Sequence, residues 1–238
     1  MEGAGMKDNN IRQNFVSSES LCKSMKKRVE NILLKGIEKR GRATLALSGG
    51  NTPKQFFEYL SESDLPWEKV YITLVDERWV DADSSDSNEY LVRNFLMKDK
   101  AQKANFIGLK NEAEHPKEGV EKCKESLLDI KDDFDLVILG MGEDGHTASF
   151  FPKAKELKKA LNSGEVCVAI TPPEAKHERI SLSLSRLLKT KNLFLHLQGR
   201  KKFEVVNEAF KEGSVEEMPI RAFIHRESKP YLEIFYAQ

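Results

Sequence analysis

The chain has 238 residues, 39% of them hydrophobic and 32% charged, and its formal net charge is zero. That is enough chain to bury a substantial core, and a balanced charge offers no field to gather nucleic acid or an anionic membrane surface. No apolar run approaches the roughly 20 residues needed to span a bilayer.

The first residues, Met1-Glu2-Gly3-Ala4-Gly5-Met6, lack the charged-then-apolar layout of a signal peptide. Residues 1–10 are read as a disordered or added tail before a single domain over 11–238. Cys22, Cys123 and Cys167 stand far apart and in no metal-ligand spacing, so they are expected to be free thiols in a reducing compartment, the cytoplasm. From Ser17 to Arg40, apolar residues at Val16, Leu21, Met25, Val29, Ile32, Leu33 and Ile37 recur at helical spacing, and Gly41 ends the helix. Thr44 to Leu47 is a short apolar run that stops at a Gly-Gly pair, as a buried parallel strand would. Helix follows over Lys54–Leu60, strand over Val70–Val75, a polar loop over Asp76–Asn88 and helix over Glu89–Leu96. Gly119–Ile130 reads as helix and Asp135–Gly140 as a buried strand. Later strands are expected at Val166–Ile170, Ile180–Leu184, Leu193–Leu197, Ala222–Ile224 and Leu232–Tyr236, with helical spacing between Lys201 and Phe210. Alternation of this kind implies an α/β, doubly wound, mostly parallel sheet with helices on both faces. In such sheets a ligand sits at the carboxyl ends of the strands.

Three polar segments fall at such ends. In Ser48-Gly49-Gly50-Asn51-Thr52-Pro53 a strand runs into two glycines, a helix-capping Thr52 and a proline suited to the first helical position. Backbone without Cβ atoms admits an anion closely, and the following helix points free N–H groups and a positive dipole end at it. An ordinary strand-to-helix turn has the same composition. The segment matches neither the Walker A pattern nor the dinucleotide fingerprint, so the anion need not belong to a nucleotide. In Gly140-Met141-Gly142-Glu143-Asp144-Gly145-His146, Asp144 stands two residues from His146, where its carboxylate can fix the imidazole tautomer for general-base work. A glycine-rich turn with solvated polar groups is the alternative, while no second His or Cys stands at metal-ligand spacing. Asp76-Glu77-Arg78 follows the strand Val70–Val75, and Arg78 either bridges a ligand or pairs with a neighbouring acid. Arg179 and Lys202 are two further cations near strand ends. His115, His177, His196 and His225 read as surface or core residues, and Phe150-Phe151 as packing or a pocket wall.

Taken together, Ser48 to Pro53, Asp76-Glu77-Arg78-Trp79-Val80 with Ser87-Asn88, and Gly140 to Pro152 resemble the 6-phosphogluconolactonases, in the superfamily shared with glucosamine-6-phosphate deaminases. Pro172-Pro173 with Arg179 and Gly199 with Lys202 fit in order and spacing, and the likeness runs from the first helix to the last strand. The resemblance implies a carboxylic ester hydrolase opening 6-phospho-D-glucono-1,5-lactone in the oxidative pentose phosphate pathway, with no metal and no organic cofactor. It implies phosphate on Ser48, Gly49, Gly50, Asn51 and Thr52, with Arg179 and Lys202 closing on it. His146 would be the base, Asp144 its partner, and Arg78 a contact to Asp144 or substrate. The expected partner is the small sugar-phosphate lactone alone, taken by a monomer or weak homodimer. Two rivals are weighed. A deaminase/isomerase would carry Asn-Glu-Pro where this chain has Phe150-Phe151-Pro152, and an aromatic at Arg78. A non-catalytic sugar-phosphate sensor usually carries an added module.

Overall fold

A computed structural model of the chain describes residues 9–238. The expected N-terminal tail over 1–10 therefore lies, but for its last two residues, outside the described residues. The chain opens with strand β1 (Ile11–Phe15), which the sequence reading missed. Helix α1 (Ser18–Arg40) follows, its Ser17 hydroxyl accepting from the Ser20 N–H at 3.2 Å. Gly41, at φ +75°, ends it and donates to the Ile37 carbonyl at 2.7 Å. The helical stripe from Leu21 to Ile37 is buried as its spacing requires, whereas Val16 precedes the cap and is exposed. Next come β2 (Ala43–Leu47), α2 (Lys54–Ser61), β3 (Val70–Leu74), β4 (Asp76–Arg78), α3 (Asn88–Phe95), β5 (Asn105–Ile107) and α4 (Pro116–Ser126). The second half holds β6 (Leu136–Leu139), α5 (Leu157–Asn162), β7 (Cys167–Ile170), β8 (Arg179–Leu182), α6 (Leu184–Leu187), β9 (Leu193–Gln198), α7 (Arg200–Ala209), α8 (Arg221–Ile224) and β10 (Leu232–Ala237).

Seven strands form one parallel sheet in the order β1-β10-β9-β6-β2-β3-β5. Both faces of β2 and β6 are covered, which is why these strands read as continuous apolar runs. The chain builds outward from β2 through β3 to β5, then returns to lay β6 on the other side of β2. The β2–β6 junction is thus the point where strand order reverses, and there the loops leaving adjacent strands diverge to open a crevice at their carboxyl ends. Register across this junction pairs Leu47 with Ile138, so the Ser48 and Gly140 loops leave side by side.

Three expectations need correction. Residues 76–78, expected in a loop, form β4, which pairs antiparallel with β8. Together with β7, these strands make a separate three-stranded sheet rather than extending the parallel one. Residues 222–224 lie in helix α8, where the side chains of Phe223 and Ile224 are buried. A short apolar run carries no period long enough to separate strand from helix, and packing decided it. The three thiols are free and buried, and burial pushes Cys22 up to about 11.

Candidate active site

The two loops at the β2–β6 junction, with β4 and the start of α7, wall a cleft of about 230 Å³. Its lining includes Ser48 to Pro53, Asp76, Arg78, Asn88, Gly140 to Gly142, His146 and Lys202.

One wall is the glycine loop. Gly50 has φ +93°, a conformation that an L side chain resists, and nothing lies within 4 Å of where its Cβ would be. The loop is tied to its neighbour by the Ser48 hydroxyl, which accepts from the Gly140 N–H at 3.0 Å. Thr52 does not cap α2, contrary to the sequence reading. Pro53 occupies the cap position in helical conformation, and no side chain bonds to the first turn. The Lys54 N–H reaches back to the Asn51 carbonyl at 3.4 Å, and the next N–H groups of α2 are left for an outside acceptor.

Opposite stands the histidine loop. His146 Nδ1 lies 2.5 Å from Asp144 Oδ1, and the same oxygen accepts the His146 backbone N–H at 3.1 Å. A carboxylate there holds the proton on Nδ1 and leaves Nε2 with its lone pair. Partial burial raises the Asp144 pKa, but the hydrogen bond and charge of His146 outweigh it and take the group down to about 2. Asp144 is therefore a fixed anion throughout the neutral range. The imidazole packs on the Phe151 ring, centroids 4.4 Å apart, so the Phe150-Phe151 pair splits into a core residue and a wall for the base. Ala148 sits at φ +49°, strain of the kind concentrated at functional loops, braced by the bond from Thr147 Oγ1 to the Gly140 carbonyl at 2.7 Å.

Positive charge comes from three places. Lys202, in the first turn of α7, turns its Nζ onto the Met141 carbonyl and lines the cleft. Burial lowers its pKa, opposed by Glu143 and Asp144. Arg200 and Lys201 point elsewhere, pairing with Glu204 and Glu143. Arg78 lines the cleft and donates to the Asp86 carbonyl. Among the described residues it forms no ion pair, so the pairing with a neighbouring acid, one of the two readings of the sequence, is not found, and no hydrogen bond joins it to Asp144. Arg179 faces Arg78 across the β4–β8 pair and lies outside the cleft lining, its Nη1 buried without a hydrogen-bond partner.

Sequence reasoning missed four contributors. Glu77, fully buried, gathers four hydrogen bonds and anchors the start of α3. Asp76, also a cleft residue, accepts from Ser149 Oγ at 2.5 Å. His196 lines the cleft from β9, and burial lowers its pKa to about 4, so it stays neutral. His177 reaches Asp86 at 2.8 Å and ties the segment before β8 to the loop under Arg78. A signal existed for the acids, since Asp76 and Glu77 flank a strand end with Ser87-Asn88 downstream. His196 and His177 have no local context that would mark them.

Comparison with known proteins gives the family of the chain. The family model described as glucosamine-6-phosphate isomerases/6-phosphogluconolactonase matches residues 16–232. A 6-phosphogluconolactonase of Rhizobium meliloti is 38% identical over 225 residues, covering 94% of this chain and 97% of the relative. The crystal structure of a 6-phosphogluconolactonase from Shewanella baltica superposes with a TM-score of 0.96 at 40% identity, covering 98% of this chain and 100% of the other. A monomeric glucosamine-6-phosphate deaminase shares the fold alone, with a TM-score of 0.80 at 15% identity, covering 96% of this chain and 97% of its own. The chain belongs to the glucosamine-6-phosphate isomerase/6-phosphogluconolactonase family.

Proposed function

We propose that the chain hydrolyses 6-phospho-D-glucono-1,5-lactone to 6-phospho-D-gluconate with His146 as general base. One observation carries the reading: a carboxylate-oriented imidazole stands across a single cleft from an uncapped, glycine-rich helix start. The phosphate takes the N–H groups of Gly49, Gly50, Asn51 and Thr52 and the hydroxyls of Ser48 and Thr52, with Lys202 beside them. Arg179 adds positive charge from behind Arg78. The far end of the substrate then lies toward His146, whose Nε2 removes a proton from water as it attacks the lactone carbonyl carbon. Arg78 is the cleft cation nearest in kind to an oxyanion stabiliser, and the imidazolium returns its proton to the leaving ring oxygen. Binding energy from the remote phosphate holds the carbonyl in place, which raises kcat through orientation.

The test is a direct assay of lactone opening on phosphorylated and unphosphorylated gluconolactone, with ammonia release from glucosamine 6-phosphate measured in parallel. Lactone turnover that prefers the phosphorylated substrate, without ammonia release, is expected. Ammonia release at a comparable rate would transfer the chain to the deaminase reading, against which Arg78 and Phe150-Phe151-Pro152 already count.

Two substitutions probe the separate walls. Asp144→Asn removes the anion that selects the Nδ1–H tautomer and should lower kcat about tenfold to a hundredfold with little change in KM. Because Asp144 is held at about 2, the wild-type rate should show no loss from its protonation until the medium is strongly acidic. Lys202→Met should raise KM for the phosphorylated lactone about tenfold, the value of one charged contact. Arg200→Ala and Lys201→Ala should leave KM nearly unchanged, since those side chains face Glu204 and Glu143.

A further inference from the structure

The two glycines of the phosphate loop are required for different reasons, and the difference points to a residue outside the loop. Gly50 needs its positive φ. Gly49 does not, because the left-handed glycines among the described residues are Gly41, Gly50, Gly145 and Gly199. What forbids a side chain at Gly49 is Asn88. A methyl on Gly49 would overlap the Oδ1 and Cγ atoms of Asn88 and lie 3.0 Å from its Nδ2.

Asn88 is 2% exposed and cannot move aside. Its Nδ2 donates to the Asp76 carbonyl at 2.9 Å, and its backbone N–H donates to Glu77 Oε1 at 2.7 Å. The amide orientation follows, since Nδ2 must face that carbonyl and Oδ1 must face the glycine loop. Oδ1 is buried and accepts no hydrogen bond. A buried acceptor without a partner is rare and calls for a reason. Here the oxygen occupies the place that a Gly49 Cβ would take, a close approach to the loop backbone that only glycine permits.

We propose that Asn88 is a positioning residue for phosphate recognition. Its clamped amide buttresses Gly49 and keeps the loop N–H groups turned to the anion, so that β4, the start of α3 and the phosphate loop move as one body. The proposal rests on the phosphate reading of the glycine loop given above. Its prediction is a size complementarity: the intolerance of Gly49 to a side chain is set by the amide at position 88.

The test compares wild type, Gly49→Ala, Asn88→Ala, the double variant and Asn88→Asp. The readouts are KM and kcat on both lactones, with the melting temperature. Gly49→Ala should raise KM for the phosphorylated lactone about tenfold or more, and Asn88→Ala about threefold. The double variant should fall close to Asn88→Ala alone rather than at the product of the two effects, as expected for side chains in direct contact. Asn88→Asp keeps the size but places an anion on the loop and loses the Nδ2 donor, so the preference for the phosphorylated over the unphosphorylated lactone should shrink. If Gly49→Ala fails to fold, recovery of folding in the double variant supports the same complementarity, and its absence opposes it. Multiplicative effects, or an unchanged phosphate preference in Asn88→Asp, would overturn the proposal. A wild type without any preference for the phosphorylated lactone would instead sink the phosphate reading itself.

Discussion

His146→Ala should lower kcat on the phosphorylated lactone by about 10²–10⁴-fold, the usual worth of a positioned general base, while leaving KM within a few-fold of wild type. The asymmetry follows from the cleft. His146 is built on the loop after β6, and the groups assigned to phosphate are built on the loop after β2 and the start of α7. Removing the imidazole takes away only what acts during proton transfer. It should not unfold the loop, because the turn is held by the backbone: Gly142 donates to the His146 carbonyl at 2.7 Å, and Ile220 donates to the Gly145 carbonyl at 2.9 Å. An unchanged melting temperature with a collapsed kcat is therefore the expected pair of results. A His146→Ala enzyme with near-normal kcat would remove this residue from catalysis.

The largest stability effect should come from Glu77, a residue with no place in the chemistry. Its Oε1 accepts the backbone N–H groups of Arg78 and Asn88, each at 2.7 Å. Its Oε2 accepts Ser87 Oγ at 2.9 Å and the Glu89 N–H at 2.8 Å. The side chain thus serves as a cap for α3 and as a brace for the strand carrying Arg78. Glu77→Ala would leave these donors buried without acceptors, at roughly 1–3 kcal/mol each if uncompensated. Partial relaxation and entry of water bring the expected loss to about 3–5 kcal/mol, in line with breaking a buried charged network. For a chain of this length that is a fall of about 10 °C or more in melting temperature. Glu77→Gln sharpens the test. It keeps shape and one acceptor but turns an NH₂ toward donors, so it too should destabilise, by about 1–3 kcal/mol. Burial pushes the Glu77 carboxyl upward against the pull of its hydrogen bonds. A melting temperature of Glu77→Ala within a degree or two of wild type would show that the network is dispensable.

Much of the fold was legible because its elements are locally consistent. The stripe from Leu21 to Ile37 has one apolar face and both caps in place, and β2, β6 and β9 are short apolar runs stopped by glycine or polar residues. Each of these signals lies within a few residues of the element it defines. Strand β1 was missed because it is an edge strand whose burial is partial, with Ile11 and Arg12 exposed, so no alternation is written into it. Residues 222–224 were misread because three apolar residues fit either period.

The site divides in the same way. Ser48 to Thr52 and Asp144 to His146 could be chosen from sequence, since a strand end, glycines and a reactive side chain sit together in each. By itself the sequence determined the long helix α1, the apolar strands β2, β3, β6 and β9, the two loops and the pairing of Asp144 with His146, all of which rest on near neighbours in the chain. Only the tertiary structure decided that the loops face one another, because strand order reverses between β2 and β6, whose paired residues stand 91 apart in the chain. It also decided that Lys202 rather than Arg200 or Lys201 turns inward, that Arg78 stands free of its acidic neighbours, and that Asn88 limits Gly49. Those outcomes depend on which atoms meet across long loops, and no local period or propensity encodes that distance.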